Sequence, residues 1–313
     1  MVSLISSARE AFGEALIEIG EEKDNLIVLD PDVSASTKTF LFRNMFPNRF
    51  INVGISEQDM VGIAAGLALE GFIPIITGFS MFILRAWEQI RNTIARDHLN
   101  VKIVATHSGL SDFADGASHQ CLEDIALMRV LPGINVVAPS DPTSIKSLLK
   151  QLVHMNSPCY MRLGRDYMPR IYENKSDVVF GKANLLEEGQ DLTIIACGIM
   201  VHFSLEVRKR LIENGIHASI VDLHTIKPID KRLKEICGRS DKIVTVEEHN
   251  IIGGMGSAVC EMLSEDGFRI KKIGVPDMFG ESSRNYLQLL EKFELSVETI
   301  TKNILNFVKG GFR

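Results

Sequence analysis

The chain has 313 residues, 45% hydrophobic and 24% charged, with a formal net charge of −6. That balance is foreign to disordered chains, and no apolar run reaches the ~18 to 20 residues that a membrane helix needs. It also argues against nucleic acid as the main partner, because phosphate backbones call for net basic surface. A small phosphorylated substrate needs only a few local cations and stays open.

At roughly 150 residues per domain, the length predicts two domains. The opening MVSLISSAREAFGEAL has no basic region ahead of an apolar core, so no signal peptide is expected. The five cysteines, Cys121, Cys159, Cys197, Cys237 and Cys260, form no CxxC pair. That pattern fits a reducing cytoplasm in which thiols act as small core hydrophobes.

The first predicted element is an amphipathic helix over SSAREAFGEALIEIGEE, with Ala8, Phe12, Ala15, Leu16 and Ile19 at helical spacing. LIVLD follows as a strand, EQDMVGIAAGLALEG as a helix and IPIITGF as a strand. MFILRAWEQIRNTIARD reads as one helix, VKIVATHS as a strand and CLEDIALMRVL as a helix. INVVAPS is a strand, DPTSIKSLLKQLVHMN a helix with Pro142 in its first turn, and CYMRL a strand. Residues 166–190 break this rhythm with proline, glycine and charge.

A second alternating block then runs from LTIIACG to FRIKKIGV and ends in two helical patterns. The predicted division is a first domain over 1–172, a linker over 173–190 and a second domain over 191–313. Unbroken apolar strands alternating with helices imply an α/β protein with two doubly wound, mainly parallel sheets. Such sheets place functional loops outside the carboxyl ends of their strands.

Four clusters fall in those loops. In NVGISEQDMVGIAAGLALEG, Ser56 and Asp59 match a capping box, which would make Glu57 an ordinary acidic first-turn residue. The many small residues that follow also allow close approach by a partner helix or a flat ligand. In TGFSMFILRAWEQI, Phe79 and Phe82 are three apart, a spacing that core packing also produces. THSGLSDFADGASHQ places His107, Asp115 and His119 in a loop rich in glycine and serine. That loop reads equally as solvated surface, whereas metal binding by His107, His119 and Cys121 matches no common zinc spacing. CYMRLGRD ends a strand with two arginines, which is also compatible with routine surface charge.

Taken together and in order, these segments resemble the transketolase family of thiamine-diphosphate enzymes. VDLHTIKPID, IVTVEEHNIIGGMGSAV and GVPDMFGESS look like that family's C-terminal domain, so the resemblance covers nearly the whole chain. By this likeness Glu57 hydrogen-bonds the aminopyrimidine of thiamine diphosphate and promotes its imino tautomer. Phe79 and Phe82 stack around the ring, and Asp32 lies near the thiazolium. His107, Asp115, His119 and Arg165 bind a sugar phosphate, joined by Arg9 and Ser36 through looser matches. The family often has a tyrosine where this sequence has Arg85, so Arg85 or Trp87 shapes the pocket differently. Ser283 stands where a glycine often follows FGES.

The family's diphosphate anchor, a Gly-Asp-Gly segment with a metal ion, has no counterpart in the sequence. The resemblance therefore implies the C-terminal subunit of a split transketolase in the cytoplasm. A separate N-terminal subunit would hold Mg²⁺ and the diphosphate, in an α2β2 assembly or alongside a homodimer, with no metal on this chain. The reaction implied is transfer of a two-carbon ketol unit from a ketose phosphate to an aldose phosphate. The β subunit of a 2-oxo acid dehydrogenase is the nearest alternative, and the His107–His119 loop favours a polyol substrate over it. A one-chain deoxyxylulose phosphate synthase would need the absent diphosphate half. A nicotinamide dehydrogenase, read from the glycine turn GGMGSA with Asp277 downstream, and a non-catalytic scaffold complete the alternatives.

Overall fold

The computed structural model describes residues 5–310. Its strands, in chain order, are β1 (Ile5–Ser7), β2 (Leu26–Asp30), β3 (Phe50–Asn52), β4 (Ile73–Phe79), β5 (Lys102–Thr106), β6 (Asn135–Val137) and β7 (Cys159–Arg162). They continue with β8 (Tyr167–Pro169), β9 (Asn184–Glu187), β10 (Leu192–Ala196), β11 (Ala218–Asp222), β12 (Thr225–Lys227), β13 (Lys242–Asn250) and β14 (Arg269–Val275). The first sheet has the order β12-β6-β7-β5-β4-β2-β3 and the second β14-β13-β10-β11-β9. Both are parallel apart from one antiparallel edge strand each, β12 on β6 and β9 on β11. Strands β2, β5, β7, β10 and β11 are buried along their whole length, as unbroken apolar runs require when helices cover both faces.

Helix Ala8–Glu22 buries Ala8, Phe12, Ala15, Leu16 and Ile19, the face its spacing predicts. Helix Pro142–His154 begins as its sequence directs, with Pro142 at the first position and Asp141 accepting from the Ser144 amide in a reciprocal cap. One apolar cluster joins the two sheets, with Ile76, Ile103 and Tyr160 of the first packed in common with Ile195, Val221 and Met255 of the second half. Among the described residues no helix is long and apolar enough to cross a membrane.

Three local readings need correction. The single helix expected over MFILRAWEQIRNTIARD is a succession of α (Ser80–Ile83), 3-10 (Leu84–Ala86), α (Trp87–Gln89) and π (Ile90–Ala95) turns. The Thr93 hydroxyl donates to the Gln89 carbonyl at 2.6 Å, and the Arg96 amide reaches back five residues to the Arg91 carbonyl at 3.0 Å. The helix expected over CLEDIALMRVL is confined to Asp124–Arg129. Residues 173–190, read as a linker, include a 3-10 turn at Lys175–Asp177 and the edge strand β9.

Candidate active site

The carboxyl ends of β3, β4, β5 and β7 converge on one edge of the first sheet and carry Glu57, Phe79, His107 and Arg165 respectively. His107 leaves β5 with a left-handed backbone (φ 58°), which turns its ring back over the sheet edge. The ring stacks on Phe79 with centroids 3.6 Å apart, and Phe79 stacks on Phe82 at 5.3 Å. His119 meets the same pair edge-on, 5.2 Å from Phe82 and 6.3 Å from Phe79. Residues separated by 40 positions in sequence, Phe79 to His119, thus form one aromatic wall.

His107 Nδ1 lies 2.8 Å from the Thr106 hydroxyl, which is also within 3.3 Å of the Gly78 carbonyl. The hydroxyl can donate to Nδ1 or accept from it, so the contact fixes the orientation of the ring and not its tautomer. Burial, reinforced by Arg9, Arg165 and His119, lowers His107 to about 3, so it is a neutral imidazole at physiological pH.

Glu57 opens helix Glu57–Leu69 and is only 7% exposed, yet it makes no hydrogen bond or ion pair among the described residues. It lines a cleft of about 820 Å³ with Ile55, Met81, Phe82, Arg85 and Glu123. The expected capping box is absent, because the Ser56 hydroxyl donates outward to the Val53 carbonyl at 2.8 Å rather than accepting from the helix. Glu57 is still an acidic first-turn residue, as the plain reading has it, but without the cap. The residue is buried, but its carboxylate oxygens open onto the cleft with no protein partner, which leaves them available to a ligand. Arg85 is an exposed cation on the cleft wall, whereas the Trp87 ring N–H is tied to the Leu127 carbonyl at 2.9 Å.

A second cluster lies close enough to His107 for its ring to feel the charges of Arg9 and Arg165. Arg9 donates to the Arg165 carbonyl and the Ser36 carbonyl, both at 2.9 Å, so Ser36 contributes its backbone there. Arg165 also pairs with Asp112 at 2.6 Å. Asp32 is exposed, has φ 68°, and accepts from the Asn52 side-chain amide at 2.8 Å. Its loop is fixed from beneath by buried Asp30, which accepts from the Val33 amide and the Thr37 and Thr39 hydroxyls. Asp115 is exposed at the start of the 3-10 turn Gly116–Ser118.

Sequence reasoning passed over Asp30, Asp112 and Glu248. The available signals were a carboxylate closing LIVLD and two adjacent glutamates in the apolar strand VTVEEH. The glycine turn GGMGSA is not a nucleotide loop. Glu247, fully buried, accepts from the Met255 and Gly256 amides at 2.6 and 2.8 Å, filling the helix start where a dinucleotide phosphate would sit. Cys121 is buried, and no three His, Cys, Asp or Glu among the described residues are grouped to hold a metal ion.

Residues 6–170 match the transketolase pyrimidine-binding domain, and residues 181–300 match the transketolase C-terminal domain. The chain belongs to the transketolase family. It is 46% identical over 306 residues to a transketolase C-terminal section of Methanocaldococcus jannaschii, with 96% of each chain covered. It is 36% identical over 312 residues to one of the subunits of an apulose-4-phosphate transketolase of Phocaeicola vulgatus, covering 99% of this chain and 100% of that one. A solved split-gene transketolase, an inactive β4 tetramer, superposes with a TM-score of 0.87 at 43% identity over 97% of this chain and 98% of that one.

The pyrimidine-binding domain of transketolases implies thiamine diphosphate. The residues present fit its pyrimidine end: the carboxylate of Glu57, with no protein partner, opens onto a cleft partly walled by the Phe82 ring.

Proposed function

We propose that this transketolase-family chain is the C-terminal subunit of a split enzyme that transfers a two-carbon ketol unit reversibly between a ketose phosphate and an aldose phosphate. The observation that carries this reading is Glu57, buried without a partner on the cleft that Phe82 lines, with His107 and His119 against the same aromatic wall.

Thiamine diphosphate, when bound, supplies the nucleophilic carbon and the electron sink. The chain supplies placement and protons. Glu57 holds or shares a proton with the aminopyrimidine. The Phe82 ring lines the cleft against the pyrimidine, and Phe79, stacked between Phe82 and His107, backs it rather than touching the ring. Asp32 faces the thiazolium side. His107 and His119 contact substrate oxygens, while Asp115 takes a donor hydroxyl. Arg9 and Arg165 grip the phosphate, a task suited to guanidinium forks, and the Ser36 carbonyl holds Arg9 in place.

A separate N-terminal subunit would carry the Gly-Asp-Gly segment, Mg²⁺ and the diphosphate, in an α2β2 assembly. Two features support a partner. The sequence has no Gly-Asp-Gly string, and Ile55, 84% exposed, stands at the cleft rim. The relatives described as a C-terminal section and as an inactive β4 tetramer point the same way.

The test is to mix this chain with a partner carrying the Gly-Asp-Gly segment, thiamine diphosphate and Mg²⁺, then assay ketol transfer. Activity is expected from the mixture and from neither component alone. Glu57→Ala is expected to abolish it, and near-normal turnover by that variant would remove the assigned role.

A further inference from the structure

Arg165 is not a bare cation. Its Nη1 donates at 2.6 Å to Oδ1 of Asp112, a side chain only 1% exposed, and the Arg165 amide donates to the hydroxyl of Ser111, the neighbour of Asp112, at 2.9 Å. Asp112 Oδ2 is buried with no hydrogen-bond partner among the described residues. Burial raises the Asp112 carboxyl despite Arg165, an environment that an acid occupies only at a cost. A second carboxylate, Asp166, half-buried, senses both Arg165 and Arg9. Two guanidiniums are therefore countered by two carboxylates.

We propose that Asp112 is a specificity-determining residue whose carboxylate offsets the charge of Arg165, so that the Arg9–Arg165 grip accepts a singly charged substrate end, such as a sulfonate, about as well as a dianionic phosphate. The inference rests on the reading of this cluster as the site for the anionic end of a ketose. A grip with an unopposed pair of cations favours the dianion by the extra Coulomb attraction. With the charge of Arg165 answered from behind, the second ligand charge gains little, and hydrogen bonding by the guanidinium forks does the recognition.

The test is equilibrium binding to the full chain, read by NMR titration of the Ser111 and Arg165 amides, and it requires no turnover. The probes are methyl phosphate and methanesulfonate at about pH 8, where the first is largely a dianion. Wild type is expected to bind the two within roughly threefold of each other, and Asp112→Asn, which keeps the acceptor oxygen, to raise the phosphate-to-sulfonate ratio by roughly three- to tenfold. An unchanged ratio in Asp112→Asn overturns the proposal. So does a wild-type preference for methyl phosphate above roughly tenfold, a measurement that needs no variant. Failure of ketol transfer with these ratios intact would instead strike the proposed reaction and leave the charge balance standing.

Discussion

Glu248, on β13 of the second sheet, accepts the Leu110 amide at 2.8 Å with the same oxygen that accepts the Tyr286 hydroxyl, also at 2.8 Å. The loop between His107 and His119 is thus fastened to the other half of the chain. Gln120 adds a bond to the Glu281 carbonyl at 2.9 Å, and the Ser283 amide donates to the Phe113 carbonyl at 2.8 Å. Gly109 is required at this seam: its φ is +70°, and a Cβ would lie 2.4 Å from the Glu248 carboxyl.

Glu248→Ala leaves two buried donors unpaired, each worth about 1 to 3 kcal/mol. The expected loss is about 2 to 4 kcal/mol in urea unfolding, with faster amide exchange in residues 109–122. Unchanged exchange in that segment would show that the loop is held by other contacts.

His107 provides a pH signature. Its folded value, about 3, lies below the ordinary 6.5, so the unfolded chain takes up a proton first as pH falls. Its contribution to stability is complete above 6.5 and is lost progressively from there down toward 3. His107→Asn should therefore flatten the fall of stability over that window. The difference between the two slopes should integrate to a few kcal/mol at most, on the order of 1.4 kcal/mol per unit. Parallel slopes would place the titration elsewhere, for instance at His224 or His249, which burial also lowers, each to about 4.

Glu57→Gln separates fold from function. The carboxylate has no protein partner and opens onto the cleft, so the amide should leave the melting temperature nearly unchanged. Ketol transfer by the reconstituted complex should fall by at least roughly 100-fold, the scale of a lost proton-transfer group. Equal losses of stability and activity would indicate a structural glutamate.

Glu247→Ala removes the acceptor for the Met255 and Gly256 amides at the start of helix Met255–Met262. A destabilisation of about 2 to 4 kcal/mol is expected, seen as a lower denaturation midpoint. Addition of a nicotinamide dinucleotide to wild type should not shift the melting temperature. An upward shift would reopen the nucleotide reading.

Much of the architecture was legible because apolar runs and caps are local signals. LIVLD and VKIVA read as buried strands, and Asp141-Pro142 marked a helix start that the structure keeps. Long-range competition hid the rest. Strand β12 is three residues, too short to show a period, and exists through pairing with β6. Ser56 carried a capping signature, yet its hydroxyl found the Val53 carbonyl instead. In the candidate site, glutamate, histidines and aromatics were picked out by the resemblance to transketolases, since their types and spacing alone allowed ordinary readings. Asp112 did not, because a loop aspartate looks solvated until the fold shows what covers it.

Strand β12 lies beyond residue 190 in sequence but closes the edge of the first sheet by hydrogen bonding. A gene fragment ending at the midpoint would leave β6 with a bare row of amides and carbonyls, an invitation to stick to its own copies. The two halves therefore share a hem, and neither can be cut free or swung open without unravelling it.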